Sequence, residues 1–208
     1  MFLPHARGFG DPARVQERKA MLASEESVQA LEAWREEVAA RRGVYIPHFD
    51  PADAGAEARV LLVMEAPGPM TNANTGLPGS GFISVDNDDQ TAGNVWKGRN
   101  AVGLHHGMLH WNIVPWYLGV ASLKPTDREL EQGGAEAMSL LKLLPNVTVV
   151  LLAGEYAQRG WRDYVAPNLD NDPFPIGLPH PSAQSLNRSG ARDRFAAALQ
   201  KAKRRIDP

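Results

Sequence analysis

Val60-Leu61-Leu62-Val63-Met64-Glu65-Ala66-Pro67-Gly68-Pro69 is an apolar run that stops on a carboxylate and a stiff turn. A short, continuous run of this kind reads as a strand covered on both faces. The pattern returns far down the chain, where Pro175-Ile176-Gly177-Leu178-Pro179 leads into His180-Pro181-Ser182-Ala183. In a parallel sheet both loops would open at the carboxyl ends of strands, where an open α/β sheet holds its ligands. Glu65 and His180 would then share one crevice.

Working outward, four apolar runs read as strands: residues 59–64, 109–115, 147–153 and 174–178. Helical patterns separate them. Thr126-Asp127-Arg128-Glu129 is a capping box, followed on one side by Leu130, Ala137, Leu140, Leu141 and Leu144. Residues 155–165 and 192–203 also read as helices. Nearer the start, residues 24–42 form a helix that Ser24 would cap and Gly43 would end. Its Val28, Leu31, Trp34 and Val38 share a face, and a shorter helix is expected over residues 12–22. Strands alternating with helices imply an α/β fold, a three-layer α/β/α sandwich around a central, mostly parallel four-stranded sheet. The expected division is an N-terminal helical extension, residues 1–58, packed on an α/β domain, residues 59–208. The glycine-rich stretch over residues 68–98 reads as a long loop roofing the crevice.

Composition narrows the chemistry. A chain of 208 residues, 43% hydrophobic and 22% charged, has enough apolar side chains for a full core. It has no cysteine, which removes disulfides, cysteine-ligated zinc, iron–sulfur clusters and thiol catalysis. No apolar run is long enough for a membrane span, and the start lacks the apolar core of a secretory leader, so a cytoplasmic location is expected. With a formal net charge of −2, any nucleic-acid surface must be a local patch. Arg188, Arg192, Arg194, Lys201, Lys203, Arg204 and Arg205 crowd the C-terminal end, and on charge alone they read as a solvated helix face.

A few residues stand out chemically. A carboxylate at Glu65, at the end of a buried strand, is costly to desolvate without a partner or a task. The loop after it lacks the pattern of a phosphate loop, and its two prolines remove amides that would cradle phosphate. It leaves the N–H groups of Ala66 and Gly68 to face a planar polar ligand. His180 precedes a proline, which holds its backbone extended, and imidazole is suited to donate to a developing negative charge. Asn112, inside Trp111-Asn112-Ile113-Val114-Pro115-Trp116, is a polar interruption of an apolar strand. Its amide suits a donor–acceptor edge such as a pyrimidine's N3–H and O4. His105, His106 and His110 are the one possible metal cluster, without an indicated third ligand in a strand-like setting, and no metal is expected. Ser182 lies outside any Gly-x-Ser-x-Gly elbow, which argues against a serine hydrolase.

Taken in order, these segments resemble the uracil-DNA glycosylase superfamily over residues 59–195. Glu65-Ala66-Pro67-Gly68 is similar to the first motif of the thermophile-type (family 4) enzymes. Pro67-Gly68-Pro69 with Thr75-Gly76-Leu77-Pro78 is similar to the single-strand-selective branch. Asn112-Ile113-Val114-Pro115-Trp116 resembles the strand with the uracil-reading asparagine, and His180-Pro181-Ser182-Ala183 the last motif.

The resemblance implies a monofunctional DNA glycosylase of base-excision repair, without a cofactor, acting as a monomer. Its partner is DNA containing uracil or another deaminated base, flipped into the pocket. His180 would donate to uracil O2 as the glycosidic bond breaks. Asn112 would read N3–H and O4, with a further bond fixing its amide against cytosine. Phe82 would stack on the base, beside Ala66 and Gly68. Glu65 would activate or orient water, or stabilise positive charge on the sugar. Leu186 would fill the gap left by the flipped base, and Ser182, Ser185 and Arg188 would hold phosphates. Three departures accompany the resemblance. The iron–sulfur cysteines of the thermophile-type branch are absent, and packing by Leu31 and Trp34 is expected in their place. Ala66 stands where the best-known branch has an aspartate, and Gly68 where that branch bars thymine with an aromatic ring. A very slow or non-catalytic damaged-base binder is the alternative that Ala66 favours.

Overall fold

The structure is a computed structural model, and it describes residues 2–72, 79–119, 123–170 and 173–207. Its centre is a four-stranded parallel sheet in the order β4-β2-β5-β6. The strands are β2 (Val60–Met64), β4 (Met108–Asn112), β5 (Val149–Ala153) and β6 (Phe174–Leu178). A separate parallel pair joins β1 (His48–Phe49) to β3 (Phe82–Ile83). The helices are α1 (Pro12–Met21), α2 (Glu26–Arg42), α3 (Gln90–Val102), α4 (Asp127–Leu141), α5 (Glu155–Gly160), α6 (Ala183–Leu186) and α7 (Ala191–Ile206). After α5 the chain continues as a π-helical turn over Trp161–Val165. Among the described residues, no helix is long and apolar enough to cross a membrane.

Alternation along the strands makes the three layers. Successive side chains of a strand point to opposite faces. Leu61, Val63, Leu109, Trp111, Val150 and Leu152 pack with α2, α4 and α5. Val60, Leu62, Met108, Val149, Leu151 and Ile176 pack with α3 and α7. Each fully buried leucine or valine contributes about 1.5–3 kcal/mol of transfer free energy, so two such faces hold both helical layers in place. On the first face Trp111 stacks on Phe49 at 4.5 Å, and Trp34 of α2 lies 5.4 Å from Trp111. The Trp34 indole N–H donates to Ser139 of α4 at 2.8 Å, joining α2 to its neighbour.

The local signals act largely as the sequence suggests. The capping box at α4 forms in both directions: the Thr126 hydroxyl accepts from the Glu129 N–H at 3.2 Å, and the Glu129 carboxylate accepts from the Thr126 N–H at 2.7 Å. Gly43 ends α2 with φ +64°, a conformation that costs other residues. Two expectations change. Ser24 does not cap α2, which starts at Glu26; its hydroxyl donates back to the Met21 carbonyl at 3.3 Å, closing the turn after α1. The stretch over residues 68–98 is not one loop. It holds β3 and most of α3, which Asp89 caps by accepting from the Ala92 N–H at 2.9 Å. The Thr75-Gly76-Leu77-Pro78 segment lies outside the described residues.

A candidate active site between the sheet and helix α3

The loops after β2 and β6 meet where the strands end. Strand β4 adds Asn112, which sits opposite Met64 in register, with His110 two residues deeper and opposite Leu62. Alternation points both toward the α3 layer, and there they line a cavity of about 310 Å³ with Ala66, Gly68, Asp89 and His180. Apolar surface dominates its walls, supplied by Met64, Pro67, Ile83, Val85 and Val95. Such a chamber suits a flat ring with a polar edge.

Each polar group has a defined setting. Asn112 is 2% exposed, and its side chain makes no hydrogen bond to another described residue. The fixing bond that discrimination against cytosine calls for is therefore not found among the described residues. His180 is partly buried, and its Nδ1 accepts from the Ser182 N–H at 3.1 Å. The neutral ring then carries its proton on Nε2 and presents a donor. Burial pushes the His180 pKa below the ordinary imidazole value; Lys124 adds to the fall and Glu65 opposes it. Gly154, at φ +86°, lets the loop after β5 pass against His180, since a Cβ there would lie 3.0 Å from the His180 Cβ. Asn94 of α3 donates to the Pro181 carbonyl at 2.7 Å and ties the same loop to the helix.

Behind the cavity lies a buried network that sequence reasoning missed. The Asp53 carboxylate contacts His110 Nδ1 at 2.6 Å and Arg99 at 3.1 Å. Burial alone would raise the Asp53 pKa; His110 and Arg99 outweigh it and hold the group ionised. In a second buried cluster, Arg18 of α1 reaches Asp50 at 2.6 Å and Asp86 at 2.7 Å, and the Ser84 hydroxyl donates to Asp50. Arg18 thus joins the N-terminal helix to residues 84–86, next to the cavity lining. Burial, reinforced by the Asp50 charge, pushes the Asp86 carboxyl up.

Two expected contributors lie elsewhere. Phe82 is fully buried and is not part of the cavity lining; its ring lies 5.7 Å from His48 and 6.1 Å from Phe9. Strand parity explains this, because Ile83, one residue on, takes the cavity face. Leu186 is 3% exposed and packs with the α3–α7 core. In this arrangement it cannot also fill a gap in DNA.

Glu65 faces outward. It is 17% exposed, it pairs with Lys124 at 2.9 Å, and it belongs to a second, open cleft rather than to the inner cavity. That cleft, about 960 Å³, gathers Lys124, Arg159, Arg162, Arg188 and Arg194 beside Ser182 and Ser185. His180 lines both spaces and so stands at their junction. Tyr156 lies between two cations, with Lys124 at 5.6 Å and Arg159 at 5.3 Å. The C-terminal basic cluster divides. Arg188 and Arg194 line the cleft, whereas Lys201 and Arg205 cover Phe174 at the far, amino end of β6. His105, from the possible metal cluster, contacts Asn100 at 2.9 Å on the surface while His110 is buried, so these two histidines point to different partners.

A comparison with curated proteins finds no match. The family described as the Uracil DNA glycosylase superfamily matches residues 51–203, a span that includes all four strands of the main sheet, α3, and the loops of Glu65 and His180. With the parallel sheet, and the cavity at its carboxyl end, that match places the chain in the uracil DNA glycosylase superfamily.

Proposed function

We propose that the protein is a monofunctional DNA glycosylase that hydrolyses the N-glycosidic bond of uracil, or of a related deaminated base, flipped out of DNA. The observation that carries this reading is the shared cavity of Asn112 and His180, with Ala66 and Gly68 beside them. The flipped base enters that chamber. Asn112 accepts from N3–H and donates to O4. The Nε2–H of His180 donates to O2 while the bond to C1′ breaks and charge moves onto the ring, the moment at which a preorganised donor acts most strongly. Glu65, outside the cavity and beside His180, stabilises positive charge on the sugar.

The open cleft holds the DNA strand. Ser182, Ser185 and Arg188 take phosphates in this reading, joined by Arg159 and Arg162 of the same cleft. A local cationic groove on a mildly acidic chain is sufficient for this, with affinity that falls as salt rises. The division into an extension, residues 1–58, and a glycosylase domain, residues 59–208, belongs to the same proposal, as does action as a monomer.

The test is incubation with a labelled strand carrying one uracil, followed by alkali. A cut at the uracil is the expected result. Ala66 favours a second reading, a very slow or non-catalytic damaged-base binder, because the Glu65 loop brings no carboxylate into the cavity. A retarded band without a cut supports that reading. Neither a cut nor a retarded band with uracil, hypoxanthine and xanthine strands removes the nucleic-acid assignment.

A further inference from the structure

A pair of charges sits where the proposed chemistry calls for one. Glu65 attracts a sugar cation only as a bare carboxylate, because an ammonium beside it cancels most of its field. In the structure it is not bare. The Lys124 ammonium donates to both of its oxygens, at 2.9 and 3.1 Å.

The two partners are held unequally. Glu65 follows β2 directly, its carbonyl accepts from the Val114 N–H at 3.1 Å, and its side chain is 17% exposed. Lys124 is 53% exposed and reaches the pair on a flexible stem. The carboxylate is therefore the fixed member and the ammonium the movable one. An exposed pair of this kind adds little net stability, since water and salt screen it and forming it orders a long side chain. Lys124 also has somewhere to go. It lines the open cleft with Ser182, Ser185 and Arg188, and its ammonium lies 5.6 Å from the Tyr156 ring. Both charges stand close enough to His180 to act on it: beneath the larger effect of burial, Glu65 raises its pKa and Lys124 lowers it.

A DNA strand brings a row of phosphates into that cleft, and a phosphate competes with Glu65 for the ammonium. A ligand shifts such an equilibrium only through its different affinity for the two arrangements. Here the difference is direct. The phosphate gains the ammonium, and the sugar gains the carboxylate, only when the pair has parted.

We propose that Lys124 is a positioning residue that masks Glu65 in the free protein and passes to a backbone phosphate of the bound strand, which bares the carboxylate toward the sugar. The inference rests on the glycosylase reading above. One ion pair replaces another, and no covalent bond changes in the exchange. The phosphate at this point then sets rate as well as affinity.

The experiment is single-turnover cleavage, with protein in saturating excess, of a strand carrying one uracil. Two matched strands replace the phosphate 5′ or 3′ to the uridine by a neutral methylphosphonate. Wild type, Lys124→Gln, Glu65→Gln and the double variant are compared, with thermal midpoints as the check on folding. In wild type, one of the neutral linkages lowers the saturated rate. Lys124→Gln is expected to shrink that penalty by about fivefold or more, the lower end of usual coupling between two sites. In the Glu65→Gln background the same lysine change should leave the penalty as it is, because no carboxylate remains to be bared. A fixed lysine–phosphate contact would give equal coupling with and without Glu65, and that result overturns the proposal. So does a penalty that Lys124→Gln leaves unaltered when Glu65 is present. Both outcomes leave the glycosylase reading standing. A wild-type protein that cuts no uracil, hypoxanthine or xanthine strand overturns both readings.

Discussion

The inner cavity and the outer cleft share His180 and little else in character. The cavity is mostly apolar, with a small set of polar groups held by helix caps, strand register and buried ion pairs. The cleft is open and lined by arginines on long side chains. Preorganised groups in a desolvated chamber govern rate, whereas mobile surface cations govern encounter and affinity. Changes to the two regions should therefore separate cleanly in experiment.

The largest effect is expected behind the wall of the cavity. Arg18→Met leaves Asp50 and Asp86 buried without their cation, and loss of one member of such a set costs about 3–5 kcal/mol. Chemical denaturation measures it, and an unchanged midpoint would show that the wall stands without Arg18. Within the cavity, His180→Ala should lower single-turnover cleavage by about 10²–10³-fold, the usual cost of a lost transition-state donor. Strand affinity should hold. Equal loss of rate and affinity would erase the distinction between chamber and cleft. In the cleft, the double substitution Arg188→Ala, Arg162→Ala should leave the chemical step intact and lower the slope of log affinity against log salt by about two, one for each phosphate contact. A rate that fell with saturating strand would break the comparison from the other side. At the start of α4, Thr126→Ala should remove about 1 kcal/mol of stability and leave the chemical step at saturating strand unchanged. The subtlest test is an NMR titration of His180. Protonation of the free protein should occur below the ordinary value of 6.5, with the neutral ring carrying its proton on Nε2. A midpoint above 6.5 would mean that Glu65, not burial, dominates its surroundings.

Much of the architecture was legible in the chain. All four strands of the main sheet begin and end within a few residues of their apolar runs, and in β2, β4 and β5 burial on both faces is what makes that signal. Asn112, Ala66, Gly68 and His180 were legible for a related reason: each is an exception to its neighbours at the end of a strand. Helix α3 was overlooked because its glycines and asparagines conceal a short apolar face, although Asp89 at its start and Gly103 at its end are ordinary signals of a helix's limits. With α3 read as loop, Asp89 had no place in the site. Phe82 and Leu186 failed differently. Their residue types suit stacking and insertion, but parity in a two-residue strand and packing of a four-residue helix turned both into the core.

The sequence by itself determined the four strands of the main sheet, the helices α1, α2, α4, α5 and α7, the sheet class, and the exceptional residues at strand ends, because periodicity and caps are local properties. Tertiary structure alone decided that Glu65 turns outward to Lys124, that Asp89 faces the cavity, and that Arg18 supports its wall across 68 residues of chain. Those outcomes depend on which charges meet after folding. Ion pairing and desolvation act through space, and no spacing along the chain records them.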